Sequence, residues 1–153
     1  MDRDSIVSVL NELIETCRDG QAGFKEAADN VKSPDLKSLF NEVSAQRMQF
    51  AVELQGEVRA LGGDGEKTGS TAGTLHRAWI NIKGNLTGKS DQAILNEVER
   101  GEDSAVNAYA EASKKDLPGV LRNVVLKQYE NIRNVHDRVR QLRDAKTAKA
   151  SRG

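Results

Sequence analysis

The sequence predicts an all-α protein, a four-helix bundle with one long crossover connection. Three observations carry this. Four segments of the 153-residue chain repeat apolar residues in steps of three and four, the spacing that lines one face of a helix. Aromatic residues make up only 4% of the chain and prolines number two, and without β-branched or aromatic runs strands are disfavoured. Two of the connections between segments are tight, and the third is long.

The first helix carries Val7, Leu10, Ile14, Cys17, Gln21, Phe24, Ala28 and Val31 on its seam. Ser33-Pro34 stops it, because a residue before proline avoids the α region while proline suits a first helical turn. The second seam reads Leu36, Phe40, Val43, Arg47, Phe50, Leu54, Val58 and Leu61, and "GGDG" at 62–65 ends it. A shorter helix is expected over about 71–87, capped by Ser70, with Leu75, Trp79, Ile82 and Leu86 on one face. "TGKSD" at 87–91 breaks the chain, with Ser90 as the next cap. The third long helix runs from about 91 to 115 on Leu95, Val98, Glu102, Ala105, Tyr109 and Ala112. After the turn "KKDLPG" the last seam is Leu121, Val125, Gln128, Ile132, Val135, Val139 and Leu142.

Each long helix holds about 25 residues and spans about 38 Å at 1.5 Å per residue. The connection from 62 to 90 is long enough to cross from one end of the bundle to the other. A bundle with one such crossover is of the ferritin-like type. Residues 1–145 form one domain, and 146–153 form a flexible polar tail.

Composition narrows the function. Acidic and basic residues balance at 23 each, so no global field favours nucleic acid or an anionic membrane. No window approaches the apolar length of a membrane span, and "MDRDSIVSVL" has no signal-peptide pattern. Cys17 has no internal disulfide partner. The expectation is a cytoplasmic protein of bacterial type.

Each seam has one clearly polar member near mid-helix: Gln21, Arg47, Glu102 and Gln128. Centres of packed helices of equal length meet at one level, so the four are expected to form a single polar layer. Its heart is Arg47 against Glu102, since a guanidinium fork binds a carboxylate through two parallel hydrogen bonds. Gln21 and Gln128 are expected to serve the remaining donors and acceptors. Gly20, Gly23 and Gly101 give the layer room. Around the third helix Glu99 and Asp103 are expected to point away from Glu102 into solvent.

A di-iron bundle needs Glu-x-x-His on two helices. No glutamate in this chain has a histidine three residues on, so no metal or cofactor is expected, and no catalytic residue is assigned. The alternative is iron or another metal on His136 with Glu26 or Asp29, whose levels match in a crossover topology. His76 is expected to pack the short helix on the bundle. Cys17 reads as a core thiol.

"LNELIETCRDGQAGFKEAA", "FNEVSAQRMQFAVEL", "GSTAGTLHRAWINIK", "ILNEVERGEDSAVNAY" and "QYENIRNVHDRVRQLRD" together resemble a bacterial domain-of-unknown-function family of uncharacterised ferritin-like bundles. The likeness covers residues from about 5 to 144. It rests on DG-x-x-GF, the lone Arg47, HR-x-W and GED. The resemblance implies a ferritin-like bundle and supplies no activity. The leading expectation is therefore a non-enzymatic bundle, a stress-related or accessory protein acting through protein contacts, as a homodimer or on another protein. The alternative is a divergent ferritin-like metal-binding protein without the di-iron motif.

Overall fold

Helix ends in this chain are set by local chemistry that is visible residue by residue. The computed structural model describes residues 1–63 and 86–152. Among them are four helices: α1 (Arg3–Asn30), α2 (Pro34–Ala60), α3 (Asp91–Ser113) and α4 (Gly119–Arg152). Asp2, Ser33 and Ser90 cap the first three, each side chain accepting from the backbone N–H three residues on. Pro34 opens α2 where its missing N–H has no helical partner. At the other end of α2, Gly62 N donates to Arg59 O and Gly63 N to Val58 O, both at 2.9 Å. This is the Schellman pattern. Gly62 sits at φ +78°, and a Cβ on Gly63 would come within 2.9 Å of the Val7 methyls, so both positions require glycine.

The expected tail differs. Helix α4 runs to Arg152, through "AKTAKA", where alanine and lysine favour helix and no breaker intervenes before Gly153. The short helix expected at 71–87 lies outside the described residues except for Leu86 and Thr87, which are not helical; Ser70, Leu75, His76, Trp79 and Ile82 lie outside them too.

Two contacts establish the topology. Gly63, just past α2, lies against Val7 near the start of α1, so these helices are antiparallel. Asp91, in the first turn of α3, accepts from Lys32 N at 2.8 Å and Ser33 N at 3.0 Å. The start of α3 is thereby tied to the α1–α2 turn, at the opposite end from Gly63. The described residues on either side of the connection thus lie at opposite ends of the bundle, α2 and α3 run parallel, and α4 returns antiparallel to α3. Helices α1 and α2 pack most extensively, then α3 with α4, then α1 with α3; α2 and α4 barely approach one another.

The core is divided. One apolar cluster gathers Leu10, Ile14, Cys17, Leu54, Tyr109, Val125 and Ile132. The other gathers Phe24, Phe40, Val43, Leu95, Val98 and Val139, with Leu86 from the end of the crossover. Gly20 stands between them, and a Cβ there would lie 3.2 Å from Arg47 Nη1 and 3.6 Å from its Cγ.

Two glycine substitutions separate propensity from packing. Gly56→Ala, in α2 with nothing within 4 Å of the new methyl, is expected to stabilise by up to about 1 kcal/mol. Gly20→Ala is expected to show no such gain, because the Arg47 side chain it crowds is locked in place. Chemical denaturation of the two variants reads the difference.

Candidate functional site, a buried charge pair and its acidic edge

Arg47 and Glu102 meet between the two apolar clusters. Nη1 donates to Oε1 and Nη2 to Oε2, both at 2.6 Å. Their side chains are 1% and 0% exposed. The fork–fork geometry satisfies both carboxylate oxygens at once. The guanidinium also lies 5.3 Å from the centroid of the Phe24 ring, a favourable cation–π placement. Arg47 Nε is buried without a hydrogen-bond partner. Burial pulls the guanidinium's pKa down, and the facing carboxylate more than restores it, so Arg47 stays charged.

The other two seam polars do not join this layer. Gln128 is buried nearer the Gly63 end, beside the Cys17 cluster, where α4 presents it to Tyr109 and to α2. Tyr109 donates to Gln128 Oε1 at 2.6 Å, and Gln128 Nε2 donates to Glu53 Oε1 at 3.0 Å. The Tyr109 oxygen is then left to accept the Cys17 thiol at 3.0 Å. Burial pushes the Cys17 thiol up to about 11 and the Tyr109 phenol well above its usual range, so both are neutral donors. Gln21 is only half-buried. It takes part through its backbone carbonyl, which accepts from Ser44 Oγ at 2.8 Å. The single-layer expectation assumed aligned centres; the helices are unequal in length, and their registers are offset.

Glu99 and Asp103 correct a second expectation. Asp103 is exposed, but Glu99 is 8% exposed, and Arg143 of α4 donates to it. His136 Nε2 lies 2.5 Å from Asp103 Oδ1, and its Nδ1 lies 3.2 Å from Asp137 Oδ1. The histidine thus faces α3 and not the expected Glu26 and Asp29. Those residues stay on α1, where Asp29 pairs with Lys25 and Glu26 with Asn30. Helix α4 packs on α3, which decides the partner. Burial lowers the His136 pKa, but the hydrogen bonds from Asp103 and Asp137 outweigh it and hold it above the ordinary histidine value. Glu99, Asp103 and His136 bring three donor atoms within 4.8 Å of one another. Sequence reasoning missed this grouping, although the i, i+4 spacing of Glu99 and Asp103 was a usable signal.

The family described as a domain of unknown function (DUF2383) matches residues 5–115. Among solved structures, a mutant of Dps1 from Mycobacterium smegmatis is similar, with a TM-score of 0.72 at 16% identity, covering 91% of this chain and 95% of that one. That likeness shows a ferritin-like fold. No curated protein matches the chain. No described helix is long and apolar enough to cross a membrane.

Two predictions test the site. Glu102→Ala is expected to cost about 3–5 kcal/mol, because it strands a buried guanidinium, and adding Arg47→Met is expected to recover much of the loss. Additive costs in the double-mutant cycle would contradict this coupling. The second concerns pH. A folded-state histidine pKa raised above the unfolded value of about 6.5 contributes stability below that pH and loses it as pH rises through the folded value. The stability advantage of the wild type over His136→Gln, in chelator-treated buffer, is therefore expected to be largest near pH 5.5 and to shrink above about pH 6.5.

Proposed function

The chain belongs to the DUF2383 family of unknown function, and from that premise we propose that it acts through protein contacts, by pairing with a second copy across its α2–α4 face, and not by catalysis. The observation that carries this reading is the open groove between those two helices. It has a volume of about 260 Å³ and is lined by Leu39, Glu42, Val43 and Gln46 from α2 and by Asn131, Val135 and Arg138 from α4. Bundles bury such stripes against a neighbouring helix. Here α2 and α4 leave the stripe open.

Two polar features favour a second copy as the occupant. Gln46 Oε1 is buried in this region without a hydrogen-bond partner, the state of an acceptor awaiting a donor. Glu42 and Arg138 line the same groove from opposite sides, yet no ion pair within 4.0 Å joins them or ties either to another described residue. In an isologous contact a twofold axis along the groove lays α2 of one copy on α4 of the other. Glu42 of each copy then faces Arg138 of its mate, and the opposite charges fix register.

The centre of the bundle supports the non-enzymatic part. Arg47 and Glu102 are paired with one another in a packed interior and closed to solvent, which leaves neither open to a substrate. An accessory role, stress-related as expected above, is the kind of work a contact surface supports. The free, buried Cys17 fits a reducing setting such as the cytoplasm.

Charge reversal tests the pairing. Glu42→Arg and Arg138→Glu each place like charges opposite one another and are expected to weaken dimerisation at least about tenfold. An equimolar mixture of the two variants restores both cross-copy pairs, and is expected to dimerise as the wild type does. Light scattering after size exclusion reads all three samples. A monomeric wild type, or a mixture no better than its components, would reject this reading.

A further inference from the structure

We propose that Glu99, Asp103 and His136 form a binding site for one divalent first-row transition cation, distinct from the Glu-x-x-His arrangement that this chain lacks. Each residue offers one donor atom within 4.8 Å of the other two. Helix α3 presents the two carboxylates at i and i+4, one turn apart on one face. Helix α4 presents the imidazole across the seam. Two carboxylates and one imidazole are a donor set that zinc and its first-row neighbours accept, with remaining positions left to water. Magnesium, which prefers an all-oxygen octahedron, is disfavoured by the imidazole.

Three further features point to an ion and not only to salt bridges. First, His136 Nδ1 faces Asp137 Oδ1 at 3.2 Å. A carboxylate behind the ring fixes the tautomer of a ligating histidine and turns its other nitrogen toward the metal. Second, that other nitrogen, Nε2, is already aimed at Asp103 Oδ1 at 2.5 Å. A contact this short between a ring nitrogen and a carboxylate holds a proton between them, in the place a cation would take. Third, Arg143 is the cation that now compensates the buried Glu99, and it has a second partner. It donates to Asp144 Oδ1 through Nε at 3.2 Å and Nη2 at 2.9 Å. Arg143 therefore exchanges Glu99 for a metal without being stranded.

Access and charge agree. The Asp103 side chain is 58% exposed, so the site opens to solvent, while Glu99 forms its buried wall. Two carboxylates neutralise a divalent ion, and the histidine binds as the neutral ring. Modest side-chain movement brings the donors to metal–ligand distances of about 2.0–2.2 Å. The site uses no residue of the α2–α4 groove and does not depend on the pairing proposed above.

The test is calorimetric titration of Zn²⁺ into the full chain after chelator stripping, with Mn²⁺ in parallel. The expected result is one saturable Zn²⁺ site per chain. His136→Ala and Asp103→Asn are expected to abolish it. Asp137→Asn, which leaves the three ligands in place, is expected to weaken it at least about tenfold. Arg143→Gln is expected to tighten binding, since it removes the competing cation, an outcome that a purely structural ion pair would not give. His76→Ala, at the chain's other histidine, is expected to bind as wild type. Circular dichroism shows whether each variant is folded, and Asp137→Asn carries the test should His136→Ala unfold. Absence of stoichiometric Zn²⁺ binding would overturn the proposal, as would unchanged binding by folded His136→Ala or Asp137→Asn.

Discussion

The Arg47–Glu102 pair is the constraint on which the rest of the bundle depends. Two charges removed from water cost several kcal/mol each, on the order of the whole stability margin of a domain, and only good geometry offsets this. The chain meets that condition with two 2.6 Å hydrogen bonds in a fork and with the Phe24 ring beside the guanidinium. The pair joins α2 to α3, the two helices that the crossover separates in sequence by the longest connection. It therefore works as a register device: a slip of either helix would bury an unpaired charge. Gly20 belongs to the same constraint, because α1 must come close enough to cover the arginine and a methyl there would lie against it.

Around that pair the polar groups form a graded series. The Cys17–Tyr109–Gln128–Glu53 chain runs from the buried interior to an exposed carboxylate, each member finding a partner. At the α3–α4 edge, Glu99, Asp103 and His136 remain within reach of water. The same helix α3 thus presents Glu102 to the core and Glu99 and Asp103 to the seam. A helix turns about 100° per residue, and the three acids of "ERGED" fall into three environments. A sequence cluster that reads as one acidic patch is in space a core anchor, a buried wall and an open rim.

Asymmetry of packing matters as much. Helices α1 and α2, and α3 and α4, close on each other as hairpins, while α2 and α4 stay apart. The groove that results carries apolar Leu39, Val43 and Val135 beside the charged Glu42 and Arg138. Seam periodicity cannot foretell it, because Val43 and Val135 are also seam residues and read as core in either arrangement.

The sequence by itself determined the four helices, the breaks between them, the cap of the third, the crossover, and the pairing of Arg47 with Glu102. These follow from short-range rules: apolar spacing, Ser90 as a cap, Ser33-Pro34 and Gly62 as punctuation, and the rule that a lone buried cation must meet a lone buried anion. Only the tertiary structure decided that Gln128 serves Tyr109 and Glu53, that Gln21 contributes its carbonyl, and that His136 faces Asp103 and not Glu26 or Asp29. It also carried α4 as helix through the tail. The physical reason is that residue level and facing depend on the offset and rotation of whole helices against one another. A shift of one residue turns a side chain by about 100°, enough to move it from one neighbour to the next, and that shift is settled by the sum of all packing contacts and by no local pattern.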